Sequence, residues 1–367
     1  MATATRQLLE GVNVLDLSRV LAGPLCTMML GDLGANVIKV ERPGTGDDTR
    51  SWGPPFDSRG ESAYYLSINR NKKSVAADLG TERDRALIEA LIDKADVVVD
   101  NFRRGTLERY RLDPRPMLAR FPRLVWCTIT GFGADSDRPG YDYVVQAERG
   151  WMAITGERDG RPMKVGVALA DVIAGKDAAI AILAALVSSA HTGAGSHVVT
   201  SLAQSATAAL VNVAQNALVT GRDAARWGNA HPNLVPYELF EARDRPIVIA
   251  VGNDVQWRAC ARALGLDRLA EDHALATNAG RVAHRERVVQ AVAAQVRERT
   301  ADDVAAALDR AGVPCGAVRT VLEVLREAGG SALTGVAPSV PGTVRHPPPR
   351  LDEHGADIRA RGWGVFA

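Results

Sequence analysis

The chain of 367 residues sets 44 Lys+Arg against 43 Asp+Glu, a net charge of +1. That balance excludes a polybasic field for nucleic acid or an anionic membrane surface, so no nucleic-acid or membrane partner is expected. With 46% hydrophobic, 24% charged and only 5% aromatic residues, the composition is that of an ordinary globular protein long enough for two or three domains, with cores of Ala, Val, Leu and Ile. In chain order, residues 12–17 (VNVLDL) predict a buried strand, 24–33 a helix, and 36–40 (NVIKV) a second strand. Residues 44–60 turn to Gly, Pro, Asp and Ser, which marks a loop. A helix over 83–94 leads to a third strand at 96–100 (DVVVD), and a fourth follows at 124–129 (LVWCTI). Strands alternating with helices in this way predict parallel βαβ units, hence an α/β class with ligands at the carboxyl ends of the strands.

The spacing then predicts a long, nearly all-round apolar helix over 171–190, and an Ala-rich helix over 201–220. Periodicity stops across 221–236. A different unit starts with a strand at 246–251 (PIVIAV) and continues with helices at 255–263, 281–299 and 301–311. From about 329 the chain is Gly/Pro-rich and is expected to return to the first domain. The reading is therefore a large domain over 1–220, completed by 329–367, with linkers and a small α/β domain over 221–328. Cys26, Cys127, Cys260 and Cys315 are far apart without a CxxC, which fits reduced, buried thiols in a cytosolic compartment. The opening MATATRQLLEGVNVLDLS lacks a leader profile. The longest apolar run, 178–187, is shorter than the roughly 18 residues a membrane span requires, so a soluble cytoplasmic protein is expected.

Several chemistries lose their footing. After VNVLDLS comes RVLAGPLCT, with one glycine and then a proline, so the GxGxxG that lets a dinucleotide pyrophosphate approach the backbone is missing. There is no GxxxxGK[ST], HExxH or GxSxG, and no clustered Cys/His set, so no metal site or permanently bound cofactor is expected. What remains is polar residues at element ends. Asp171 opens the long helix, where the free N–H groups favour the ionised carboxylate. It reads either as a helix cap worth about 1 kcal/mol or as a nucleophile at the edge of a cleft. Arg42 follows the second strand, and Arg103, Arg104 and Arg109 follow the third. Each is ordinarily a solvated charge, but at successive strand ends their guanidinium forks suit a phosphorylated ligand.

The chain resembles the class III CoA-transferases, which include formyl-CoA transferase, carnitine CoA-transferase and the related α-methylacyl-CoA racemases. The resemblance runs through LEGVNVLDLSRVLAGPLCTMMLGDLGANVIKVERPGTGDDTR (9–50), NRNKKSVAADL (69–79), ADVVVDNFRRGTLER (95–109), TGFG (130–133), KVGVALADVIAG (164–175), HPNLVPYELF (231–240) and AVGNDVQWRAC (250–260). It implies a Rossmann-like large domain with a parallel sheet, a smaller domain, and an interlocked homodimer. It further implies that Asp171 attacks an acyl-CoA thioester to give an aspartyl–acyl mixed anhydride and free CoA thiolate, so that CoA passes to a carboxylic acid acceptor. By the same resemblance Leu21, Ala22, Arg42, Ala77, Asp78, Leu79, Gly80, Asn101, Phe102, Arg103 and Arg109 hold CoA, and Tyr141 and Asp142 lie beside the thioester. Gly252 falls in the position of a mobile glycine loop, here Gly-Asn-Asp. Two departures sharpen the expectation. Formyl-CoA transferase has a glutamine in place of Leu21, so formate and oxalate are not favoured. The racemases have a catalytic histidine in place of Tyr141, and a tyrosine of pKa about 10 is a poor base. Transfer is therefore favoured over the alternatives, racemisation or acyl-CoA binding without turnover.

Overall fold

A computed structural model of the protein describes residues 7–367; the leader reading of the first six residues lies outside them. The chain divides into two compact units. The first combines the stretch up to Met152 with Lys164–Arg222 and Leu325–Ala367; the second combines Ala153–Met163 with Asp223–Val324.

Six strands build the sheet of the first unit: β1 (Asn13–Asp16), β2 (Asn36–Glu41), β3 (Lys72–Ala76), β4 (Val97–Asp100), β5 (Val125–Thr130) and β6 (Ser196–Ser201). Their order is β3-β2-β1-β4-β5-β6, and every neighbouring pair is parallel. The α/β, Rossmann-like expectation therefore holds. The order reverses between β1 and β4, which opens a crevice at the carboxyl ends of those two strands. Burial on both faces explains why β1 and β4 read as short apolar runs, for Val14, Leu15, Val97, Val98 and Val99 are all fully buried. Two strands escape the sequence reading. β3 begins with two lysines, and Lys72 is nevertheless fully buried because its ammonium donates to Asp16 Oδ2 (2.9 Å), Pro24 O (2.8 Å) and Asn69 Oδ1 (2.9 Å). β6 is an edge strand whose residues alternate in exposure, and no apolar run marks it.

The helix expected over 171–190 spans Leu169–Thr192 and ends on Gly193, which at φ 75° takes the left-handed conformation that glycine accepts without strain. It is long and apolar enough to cross a bilayer by length and composition, contrary to the reading based on the 178–187 run alone. Its buried residues are mostly small, among them Ala170, Ala174, Gly175, Ala178 and Ala185. They allow close packing on the first helix, Ala22–Asp32; a Cβ added at Gly175 would come within 2.6 Å of Ala22 O. The Ala-rich stretch expected as one helix divides into Leu202–Ala208 and Val211–Thr220, the second opening on Val211 at φ 42°.

The end of the chain is fastened to the first unit. Asn71 accepts from the backbone N–H groups of Arg345 (2.6 Å) and His346 (2.9 Å), Arg345 donates to Gly31 O and Ala35 O, and Trp363 Nε1 donates to Leu91 O. The second unit has a three-stranded antiparallel sheet, β7 (Tyr237–Glu241), β8 (Pro246–Ala250) and β9 (Cys315–Ala317), in that order. Trp257, Val288, Val292, Val296, Val304 and Leu308 from its helices close the core over Ile247 and Ile249. The sequence reading found β8 only. Cys26, Cys127 and Cys260 are buried and Cys315 partly so, all four as free thiols.

Candidate active site

Asp171 does not cap the long helix. It lies in the first turn, after Ala168 at the cap position, and the free N–H of Ala170 is taken by the Asp142 side chain instead. Ala22, at the start of the first helix, lines the same cleft as Asp171, and its N–H favours the charged carboxylate. The close approach at Gly175 brings the two helices together at this point. Asp171 lines a cleft of about 310 Å³, together with Val20, Ala22, Asn101, Thr130 and Tyr141, which belong to the loops at the carboxyl ends of β1, β4 and β5. The crevice expected from the strand reversal is thus formed, and the carboxylate lies in it.

Burial first, and the charge of Asp142 second, push the Asp171 carboxyl up to about 7, against the opposing N–H of Ala22. Asp142 is itself buried, accepting from Ala170 N (2.8 Å) and Gln146 Nε2 (2.7 Å). It therefore supports the wall behind Asp171. Tyr64 lies in the same field: burial, then Asp171, Asp142 and Asp47, push its phenol up to about 12. A phenol so shifted stays protonated near neutrality and serves as a donor rather than a base.

A second cavity of about 170 Å³ adjoins the first, and the two share Arg19 and Phe102. Arg42, Ala77, Asp78, Leu79 and Tyr110 line it. The Arg19 guanidinium lies 5.7 Å from the centre of the Phe102 ring, and its Nε is buried without a partner. Asp48 pairs with both Arg19 (3.2 Å) and Arg42. This part of the groove offers two guanidinium groups at its mouth and an aromatic edge inside, suited to an anionic ligand with a flat ring. At the inner end of β4, fully buried Asp100 accepts from Trp126 Nε1 (2.7 Å), Thr128 Oγ1 (2.8 Å) and Phe102 N (3.0 Å), which fixes where β4 hands over to Asn101 and Phe102.

Of the residues singled out from the sequence, Ala22, Asn101, Phe102, Arg103, Tyr141 and Asp171 line the first cavity; Arg42, Ala77, Asp78 and Leu79 line the second, with Phe102 in both. Others do not reach them. Leu21 is buried, Gly80 lies beyond Leu79, and Arg109 ends the short helix Thr106–Arg109 as an exposed side chain outside both cavities. Gly252 belongs to the second unit, where its N–H donates to Gln256 Oε1 (2.8 Å). The sequence reading missed Arg19 and Tyr64. Arg19 follows the first strand as Arg42 follows the second, a signal that was available. Tyr64 is placed by tertiary contacts and carries none.

The model of CoA-transferase family III matches residues 9–355. The chain is 41% identical to succinate–glutarate CoA-transferase of Agrobacterium fabrum, over 96% of this chain and 95% of that one. It is 42% identical to succinyl-CoA:glutarate CoA-transferase of Mus musculus, over 87% and 74% respectively. Among solved structures, a CAIB/BAIF family protein from Brucella suis superposes with a TM-score of 0.84 at 41% identity, covering 96% of this chain and 98% of that one.

Proposed function

Because the chain belongs to CoA-transferase family III, we propose that it moves CoA between two short dicarboxylic acids through a covalent intermediate on Asp171. The observation that carries this reading is the Asp171 carboxylate in the cleft at the strand reversal, beside Ala22 and pushed up to about 7 by burial and then by Asp142. The named activities of the Agrobacterium and mouse relatives support succinate and glutarate as the acid class.

In the proposed course, an Asp171 oxygen attacks the thioester carbonyl, the C–S bond breaks, and CoA leaves as the thiolate with a mixed anhydride behind it. The thiolate then attacks the Asp171 carbonyl of that anhydride, which releases the donor acid and leaves an aspartyl–CoA thioester. The acceptor carboxylate repeats the exchange in reverse: it displaces the thiolate, and the thiolate takes the acceptor's acyl carbon and frees Asp171. No proton is consumed over the cycle. The CoA moiety would lie along the second cavity, with Arg42 and Arg19 at its phosphates and Phe102 beside its ring or pantetheine. Tyr141, exposed at the cleft, and the Tyr64 phenol flank the acyl end. We also infer that the enzyme works as a homodimer, which the uncovered apolar helix faces of the first unit support.

Steady-state exchange from succinyl-CoA to a panel of mono- and dicarboxylates tests the reading. Glutarate is expected to accept CoA well, and Asp171→Asn to lose exchange by about 10³-fold or more. Undiminished exchange in that variant would overturn the mechanism. Incorporation of α-deuterium into a 2-methylacyl-CoA at turnover rates, with no acceptor present, would replace transfer by racemisation.

A further inference from the structure

The five residues between β1 and the first helix are held from three other strands and loops, and the chain is strained where the hold is strongest. Val20 has φ 72°, in the left-handed region where a β-branched residue is an outlier. Its N–H points between the two Asp47 carboxylate oxygens, 3.3 Å from each. Asp47 is in turn paired with Lys39 at 2.9 Å, both side chains being fully buried. The same Lys39 ammonium donates to Ser18 O (3.0 Å), two residues before Val20. Asn101, at the end of β4, holds Arg19 by both backbone groups: its Oδ1 accepts from Arg19 N (2.9 Å) and its Nδ2 donates to Arg19 O (2.7 Å). Residues 18, 19 and 20 are thus each fixed by a side chain from another part of the sheet. The next residue but one is Ala22, which opens the first helix, packs against Gly175 of the long helix and lines the same cleft as Asp171, with its N–H favouring the charged carboxylate.

We propose that Asn101 and the buried Lys39–Asp47 pair are positioning residues that clamp this elbow in its strained form and so aim the Ala22 N–H at the Asp171 carboxylate. The inference rests on Asp171 being the nucleophile. It gives Asn101 a task beyond lining the CoA groove, and it gives a task to a buried ion pair whose two members also line the second cavity. A left-handed valine persists only when its surroundings over-determine it. Here an anionic acceptor on its N–H and two bonds on the preceding peptide supply that determination. With the clamp removed, the elbow relaxes towards an ordinary conformation, Ala22 turns, and the carboxylate loses the donor that orients it.

The test is a double-mutant cycle in the full-length enzyme, read as exchange from succinyl-CoA to glutarate, with Asp171→Asn measured alongside. Asn101→Ala and Asp47→Ala are expected to lower kcat by about 10- to 100-fold while the KM for succinyl-CoA stays within about threefold. The acid limb of the pH profile should move to higher pH, because Asp171 loses a donor to its charged form. Val20→Gly makes the left-handed conformation free of strain, so in that background Asp47→Ala should cost less than about fivefold. Equal losses in both backgrounds, or a raised KM with unchanged kcat, would overturn the proposal. If Asp47→Ala fails to fold because Lys39 is left unpaired, Asn101→Ala carries the test by its kcat and pH profile, since it leaves no buried charge. An active Asp171→Asn would remove the nucleophile and the clamp's purpose together. An inactive Asp171→Asn beside an unaffected Asn101→Ala would defeat the clamp alone.

Discussion

Below pH 7 the proposed nucleophile carries a proton for much of the time, since burial and then Asp142 push the Asp171 carboxyl up to about 7. Only the ionised form can attack a thioester, so kcat/KM for an acyl-CoA should fall about tenfold per pH unit below that value and level off above it. Asp142→Asn removes the neighbouring charge and should move this acid limb to lower pH, at some cost in stability because Gln146 Nε2 loses a charged acceptor. A limb that stays in place would mean that burial alone sets the Asp171 pKa. The raised pKa also has a use: a more basic carboxylate is a better nucleophile, and the anhydride it forms splits one hard exchange into easier steps. At this scale the sequence revealed a carboxylate near the start of a long apolar helix, and the structure altered its task. Asp171 faces a cleft beside the start of another helix instead of capping its own. The conformation of Val20 could not be read, because it depends on Asp47 and, through Arg19, on Asn101, residues far away along the chain.

The elements that were legible are those whose own residues decide them. β1, β2, β4 and β5 are short apolar runs, and the long helix is apolar along its whole length. β3 was hidden because Lys72 is buried only by virtue of Asp16, and β6 because an edge strand needs no apolar run. The same helices leave apolar surface uncovered. Ile180 and Val187 on Leu169–Thr192 are 65% and 59% exposed, and Val211, Leu218 and Val219 on Val211–Thr220 are 69%, 77% and 75% exposed. Faces of this kind mark an interface. Light scattering on the purified enzyme is expected to give a dimer mass, and Leu218→Glu with Val219→Glu to lower dimer content at micromolar concentration. A monomer mass with full activity would remove the dimer from the account.

Across the whole molecule the near-zero net charge conceals a local arrangement. Lys39 within β2 and Lys72 at the start of β3 are buried and neutralised by Asp47 and Asp16, while Arg19 and Arg42 stand at the groove's mouth with Asp48 between them. In the proposed reading the buried pairs set geometry, and the outer pair meets a phosphate. Family membership follows from the length of the match, 9–355, and the strand order alone would not have given it, since a parallel sheet of this kind serves many chemistries.

Oxygen tracing tests the central claim most directly. In the proposed cycle the acceptor's carboxylate supplies the bridging oxygen of the second anhydride, and that oxygen stays on Asp171 when the new thioester leaves. With succinyl-CoA and glutarate labelled by ¹⁸O in its carboxylates, the peptide containing Asp171 should gain ¹⁸O in its side chain during turnover. Continued exchange with an unlabelled Asp171 would contradict the account.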